Sequence, residues 1–455
     1  MKARNYSFIF DGYSCDKKIG QADFFYIINH GKETLHLKET LLFPSLNNKI
    51  HHKLLDSIFI NLSLALGISY WKIFCPKKII TPHYALSKTQ AEFWNALYTH
   101  GLGEFFYKNK IDFRGLIKFP YQNISSPKPM RLSTKNHSLA MIGGGKDSIV
   151  STELLKKSRK HFTPFLLNKS EIQMETLRVL GKKPLIVKRA IDSQLFKLNK
   201  RRDTYNGHVP ITAIYSFTAL LTAVFHKNKY IIASNEKSAN YGNMRYLGTS
   251  INHQWSKSYE FERSFNKYIK KYITPDITYF SFLRSLNEIK IAEIFSKNNK
   301  YFKYFSSCNT NFAILKKSDR RWCGRCPKCA FVFASLAPFI SKKDLLGIFG
   351  QNLFEKKALL PLFEELLGIK NFKPFECVGT PEETRLAFYK ASQKDEFTND
   401  VAIRMFKKEF IGILPKIAKS EKKLMRSSTN HGVPEEFLRA LSFLTKSTKI
   451  RPRSL

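Results

Sequence analysis

Residues 138–155, SLAMIGGGKDSIVSTELL, constrain this chain more than any other stretch: an apolar strand runs directly into three glycines and then into a helix. Glycines turn with positive φ and let backbone approach an anion closely, while the following helix offers unpaired N–H groups and the positive end of its dipole. Gly143, Gly144, Gly145, Lys146, Asp147 and Ser148 are therefore the candidate phosphate-binding residues. Ser148 can add a hydroxyl, and Asp147 can order the loop or hold Mg²⁺ beside a polyphosphate. Two common phosphate loops do not fit. Walker A needs Gly where the chain has Ala140 and Ser or Thr where it has Asp147, and the dinucleotide pattern needs Gly at Ser148. A glycine turn with no ligand is the bland alternative.

The surroundings of this loop alternate strand and helix, which predicts a parallel sheet covered on both faces. Strands are expected at Ser138–Ile142, Phe162–Leu167, Pro184–Val187, Tyr230–Ala233 and Tyr301–Ser306, with helices at Ser148–Ser158, Ser170–Val179, Ile211–Phe225 and Glu262–Lys271. Upstream, YSFIF, DFFYIIN and TLHLKETLLF alternate with period two between turn signals at Asp11-Gly12 and His30-Gly31, as a small antiparallel sheet would. A helical pattern follows from His51 to Ile111, and Pro120, Pro127 and Pro129 mark a linker. ALLPLFEELLG and PEETRLAFYKAS read as helices, and TKSTKIRPRSL reads as a mobile basic tail. The expected organisation is an N-terminal α+β domain over 1–134, an α/β domain over 135–335 and a helical region over 336–455.

The chain carries 76 Lys and Arg against 36 Asp and Glu, a net charge of +40, so its surface should attract nucleotides, nucleic acid or acidic metabolites. The basic residues are spread along the whole chain rather than gathered in one tail, and AT-rich codon usage is an equal explanation for the surplus. No apolar run with a small-residue cleavage site opens the chain, and Leu54–Trp71, the most apolar stretch, contains Asp56, Asn61 and Ser63. A cytoplasmic protein without a membrane span is expected.

Four of the seven cysteines are crowded together, Cys308, Cys323, Cys326 and Cys329, in a C-x14-C-x2-C-x2-C pattern. Four thiolates close a tetrahedral shell around Zn²⁺ and leave no open position, so a structural zinc is expected, with an iron–sulfur cluster as its rival. Arg321, Arg325 and Lys328 would offset the charge of such a site.

The glycine loop resembles the S-G-G-x-D-S loop of the PP-loop ATP pyrophosphatases, with Gly143 standing in place of the leading Ser. A PP-loop followed by such a cysteine tetrad is similar to 7-cyano-7-deazaguanine synthase. Several further blocks are more similar to another family: GISYWK (67–72), NGHVPIT (206–212), SNEKSAN (234–240), NHQWSKSYEFE (252–262), SSCNTNF (306–312) and WCGRCPKC (322–329) resemble those of UDP-N-acetylmuramoyl-L-alanyl-L-glutamate epimerase. The resemblance extends from about residue 6 to 430. It implies an adenine-nucleotide alpha hydrolase-like core, a UDP-linked muramoyl dipeptide as substrate, ATP and Mg²⁺, and inversion of a terminal glutamate in peptidoglycan synthesis through an acyl-adenylate.

Under that resemblance His208 and His253 are candidates for acid/base work, because imidazole titrates near neutrality. Glu236 is a candidate for catalysis or for Mg²⁺, and Asn235, Asn252, Gln254 and Arg284 for orienting the substrate's amides and carboxylates. Cys377, in FECVGT, is a minor candidate because cysteine pairs can exchange α-protons, and it reads first as a buried packing residue. Another PP-loop enzyme, of the deazaguanine or tRNA-modifying type, and a zinc-ribbon nucleic-acid binder are the competing readings.

Overall fold

The computed structural model describes residues 6–44, 50–125, 127–312, 320–370 and 372–442. The tail read in TKSTKIRPRSL lies outside them. Three strands come first, β1 (Tyr6–Asp16), β2 (Gln21–His30) and β3 (Glu33–Leu42), paired antiparallel as their alternation predicts. The helical stretch that follows holds α1 (His52–Trp71), α2 (Lys88–Gly101) and α3 (Gly103–Lys108). Between α1 and α2 lies β4 (Lys78–Ile80), which pairs parallel with β1 and which the apolar periodicity did not reveal.

The core begins with β5 (Lys135–Met141), α4 (Lys146–Lys157), β6 (Phe162–Leu167), α5 (Glu171–Leu180) and β7 (Leu185–Ala190). It continues through α6 (Ser193–Leu198), α7 (Ile211–Phe225) and β8 (Asn228–Ala233), then a short hairpin of β9 (Met244–Tyr246) and β10 (Thr249–Ile251). It ends with α8 (Tyr259–Tyr272), β11 (Thr278–Ser281) and α9 (Glu288–Phe295). From Asn309 to Ser442 the described residues form helices and no strand. The strand expected at Tyr301–Ser306 is absent, because its aromatic residues pack inward from a 3₁₀ turn and loop. Phe305 sits with its ring centroid 4.5 Å from Phe295 and 5.2 Å from Trp322. The last core strand is β11 instead, only four residues long.

The antiparallel and parallel parts form one nine-stranded sheet, ordered β11-β8-β5-β6-β7-β3-β2-β1-β4. Residues 40–42 of β3 pair antiparallel with 188–190 of β7. A buried ion pair pins this seam: Arg189 Nε lies 2.5 Å from Glu39 Oε1, and Nη2 donates to Ser69 Oγ at 3.0 Å. Alternate side chains of the core strands face opposite layers, as the pleat requires. Leu139, Phe165, Ile231 and Tyr279 pack toward α1, α7 and α8, whereas Ala140, Leu166, Ile232 and Phe280 pack toward α4, α9 and the C-terminal helices.

By length and composition α1 could cross a membrane, but 83% of its most apolar window is buried in the protein. It lies close against the sheet at Gly67, where a Cβ would come within 2.5 Å of the Phe10 ring.

The five parallel strands run in the order β7-β6-β5-β8-β11 across the sheet, so successive connections leave β5 in opposite directions. Such a reversal opens a crevice beyond the carboxyl ends of the two central strands, here β5 and β8.

Candidate active site

The glycine loop emerges at that crevice. Gly144 has φ +81°, and a Cβ there would lie 3.1 Å from Ile172 and 3.2 Å from Gln173, so the tight turn requires glycine. At Gly143 a Cβ would meet nothing within 4 Å, which leaves that side of the loop open. Gly145 caps α4 without any side-chain hydrogen bond to the helix amides. The Ser148 hydroxyl is committed within the loop: it accepts from Gly144 N–H at 3.2 Å and donates to Gly145 O at 3.0 Å.

Three carboxylates converge here because each follows a neighbouring strand: Asp147 after β5, Glu236 after β8 and Glu288 after β11. One oxygen from each lies within 4.8 Å of the others. Buried Lys146 bonds both Asp147 and Glu288, and these two charges raise its pKa against the opposing effect of burial. Burial, then the Asp147 charge, pushes Glu236 up and lifts Glu288 to about 8. Three mutually repelling oxygen donors with one ammonium between them suit a hard divalent cation such as Mg²⁺. Lys146, expected at the phosphates, is thus bound to carboxylates, and Glu288 joins a set in which the sequence had indicated only Asp147 and Glu236.

A second cluster adjoins the first. Glu104 of α3 bonds His253 Nδ1, its Oε2 lies 3.5 Å from His208 Nδ1, and its Oε1 takes Lys108. The two imidazole centroids are 4.4 Å apart. Burial alone would raise Glu104, yet the hydrogen bond and charge of His253 bring it down to about 2. The two histidines diverge. Burial and the neighbouring His253 charge drop His208 to about 3, while hydrogen bonds with Cys377 and Glu104 outweigh burial and lift His253 to about 9. The three side chains are close enough to share a metal, but Glu104 and His253 are already paired with each other.

Cys377 belongs to this cluster rather than to a packed interior. Lys257 Nζ donates to its Sγ at 3.1 Å, and Lys328 bonds its carbonyl oxygen. The residue as a whole is partly exposed. Burial opposes ionisation there, but the Lys257 charge and the His253 hydrogen bond carry its pKa well below the ordinary thiol value. Lys257 also feels Glu236 and Asp147, and Lys373, lowered to about 8 by burial, feels both Glu236 and Cys377. Lysines therefore bridge the carboxylate and thiolate clusters.

Of the four residues expected to orient substrate, Arg284, Asn252 and Asn235 bond to neighbouring protein groups, while Gln254 keeps one buried oxygen without a protein partner. Arg284 is fully buried and spends its guanidinium on Glu262 at 3.1 Å, Glu236 O at 2.6 Å and Lys257 O at 2.5 Å, so it positions those two residues and has no fork left for a ligand. Asn252 donates to Ala239 O and accepts from Gln254 N–H, both at 2.8 Å. Asn235 donates to Ser281 Oγ at 2.9 Å. Gln254 donates to Val378 O at 3.4 Å, and its buried Oε1 has no partner.

The cysteines form the tetrad that their spacing predicts. Cys308, Cys323, Cys326 and Cys329 have sulfurs 3.5, 3.7 and 3.9 Å apart in the 326–329, 323–329 and 308–326 pairs. Four sulfurs at about 2.3 Å from one tetrahedral ion would stand about 3.8 Å apart. A [4Fe–4S] cluster spreads its thiolates wider, because each holds a different iron, and a [2Fe–2S] cluster separates them into two pairs.

Family models match nearly the whole chain: a MurL N-terminal domain over residues 1–282 and a MurL C-terminal domain over residues 304–421. A relative from Xanthomonas oryzae pv. oryzae, named UDP-N-acetyl-alpha-D-muramoyl-L-alanyl-L-glutamate epimerase, is 37% identical over 346 residues, 76% of each chain. A relative of the same name from a Micromonospora species is 34% identical over 403 residues, covering 88% of this chain and 89% of its own. One from Salinispora tropica, again so named, is 35% identical over 386 residues and 84% of each chain. Cys377 lies within the C-terminal match, whereas the glycine loop, Glu104, His208 and His253 lie within the N-terminal one.

Proposed function

Because the chain belongs to the MurL family, we propose that it inverts the terminal L-glutamate of UDP-N-acetylmuramoyl-L-alanyl-L-glutamate to D-glutamate, in the cytoplasmic steps of peptidoglycan precursor synthesis. We further propose that ATP is cleaved to AMP and pyrophosphate in the process. The observation that carries the ATP reading is the convergence of Asp147, Glu236 and Glu288 beside an open glycine loop, at the crevice between the two central strands.

The chemistry explains why an epimerase needs a nucleotide. Removing an α-proton beside an ionised carboxylate would build a second negative charge next to the first. When the glutamate carboxylate attacks the ATP α-phosphorus, pyrophosphate departs and that charge is lost. The α-carbon of the resulting acyl-adenylate can then give up its proton, because the C–H electron pair moves into the carbonyl. Reprotonation from the opposite face inverts the centre, and water splits the adenylate to AMP and the D-configured product.

In this reading Gly143–Ser148 and the start of α4 receive the phosphates through backbone N–H groups. Asp147, Glu236 and Glu288 would hold Mg²⁺, which supplies positive charge to the polyphosphate. Lys146, Lys257 and Lys328 keep the surrounding potential favourable to anions. The cysteine tetrad takes a structural zinc that ties the loop after α9 to the helix Pro327–Leu336, of which Cys326 is the N-terminal cap. One zinc per chain is expected, with less in Cys326→Ser.

Asp147→Ala tests the assignment. It is expected to abolish substrate-dependent AMP and pyrophosphate release while leaving the melting temperature within a few degrees of the parent. Undiminished AMP release from that variant would refute this location for the nucleotide.

A further inference from the structure

The loop carrying Cys377 is clamped from several directions. Asn243 Nδ2 donates to Lys373 O at 3.1 Å and Pro374 O at 2.7 Å, Gln254 holds Val378 O, and Lys328 holds Cys377 O. The same Asn243 accepts the His253 backbone N–H through Oδ1 at 2.8 Å, so the thiol and the imidazole are registered by one side chain. His253 is fully engaged, with Glu104 on Nδ1 and a hydrogen bond to Cys377. It has no lone pair to offer a substrate. His208 has one: its Nδ1 faces Glu104, while its Nε2 is buried and without a partner. A buried polar atom left unpaired in this way calls for an explanation, and a ligand supplies one.

We propose that Cys377 Sγ and His208 Nε2 are the two groups that exchange the α-proton of the substrate glutamate, one on each face, while His253 and Glu104 act as positioning residues that hold the proton between turnovers. The assignment rests on the epimerase reading above and replaces His253 by Cys377 in the acid/base pair. In one direction His208 Nε2 accepts the α-proton and the C–H electron pair enters the activated carbonyl. Cys377, given a proton by the His253 imidazolium, returns one to the opposite face as the enolate pair re-forms the C–H bond. Turnover leaves the extra proton on His208 and His253 one proton short, and exchange with solvent after product release restores both rings. The reverse direction uses the thiolate as acceptor and the His208 imidazolium as donor. One proton leaves the substrate and one enters, and no oxidant or reductant is needed.

Two-base inversion makes a sharp prediction. Cys377→Ser and His208→Asn are each incubated in D₂O with ATP and Mg²⁺, starting from the L- or the D-glutamyl epimer of the UDP-muramoyl dipeptide. Each should lose inversion by about 10²–10⁴-fold, the range general acid–base groups contribute. Each should still wash deuterium into one epimer only, and the two variants should choose opposite epimers. Substrate-dependent AMP release should persist in both, which shows that the fold and the adenylation step survive. On the unmutated protein, iodoacetamide should alkylate Cys377 at a rate slowed by substrate, and alkylation should stop inversion but not AMP release. A Cys377→Ser variant that inverts within a few-fold of the parent, or that exchanges the same epimer as His208→Asn, overturns the proposal. If the parent inverts without forming AMP, the ATP reading falls, and the exchange pattern of the variants decides the roles of Cys377 and His208 independently.

Discussion

At the scale of single residues, the site turns on one carboxylate shared by two histidines that it leaves in opposite states. Glu104 is held near pH 2 against an ordinary 4.5, so its contribution to stability is present above about pH 4.5 and is lost as pH falls toward 2. His253 is raised from 6.5 to about 9, so its contribution is complete below 6.5 and disappears as pH rises through 9. The pair therefore helps most between about pH 4.5 and 6.5. His208, lowered to about 3, subtracts stability as pH falls below 6.5, because the unfolded chain then binds a proton that the folded one refuses. Glu104→Gln should destabilise the protein near pH 6 by about 3–5 kcal/mol, the usual cost of breaking a buried pair from one side. Thermal melts across pH should show this deficit shrinking from pH 6.5 through 9. A deficit that stays constant to pH 10 would mean that Glu104 and His253 are not coupled. The same variant should move the alkaline limb of the inversion pH profile, which a purely structural role would leave in place.

At the scale of elements, local signals were readable and distant ones were not. The glycine loop, its flanking strand and helix, and the C-x2-C-x2-C turn are continuous in sequence, and the structure has the strand, the tight turn, the helix and the clustered sulfurs that their spacing predicts. A lone arginine near polar residues, such as Arg284, looks the same in sequence whether its fork faces a ligand or, as here, Glu262 and two carbonyls. Glu288 and Glu104 carry no motif of their own, and the block holding Lys257 does not show its partners; the end of β11, the packing of α3 and the turn before α8 bring them to the site. For Cys377 the residue type alone suggests proton exchange, but nothing local indicates that Lys257 and His253 surround it. Gly67 gives the element-level test. Alanine would gain about 1 kcal/mol of helix propensity in α1, yet its methyl would sit 2.5 Å from the Phe10 ring, which is fully buried among Phe8, Tyr26 and Phe119. Overpacking costs about 1–3 kcal/mol, so Gly67→Ala should lower the denaturation midpoint, and an unchanged or raised midpoint would contradict the close helix–sheet contact.

At the scale of the whole molecule, the alternation of strands and helices was enough to infer a sheet covered on both faces, and the N-terminal alternation was enough to infer antiparallel strands. That the two join through β3 and β7 is not legible in the sequence, because edge pairing leaves no periodic mark; the buried Glu39–Arg189 pair is one of the contacts that fix it. One continuous sheet brings α3 and the loop before α7 to the crevice, and the C-terminal region brings Cys377 against Lys257 and His253. A site assembled from both halves of the chain fits a reaction in which a nucleotide and a peptide terminus must meet. The central claim is that ATP cleavage is what makes the glutamate α-proton labile. Its most direct measurement follows deuterium at the glutamate α-carbon in D₂O with the UDP-muramoyl dipeptide, with and without ATP. The expected result is label entering only when ATP is present, with AMP formed as the centre inverts. Label entering at the same rate with no nucleotide in the reaction would contradict it.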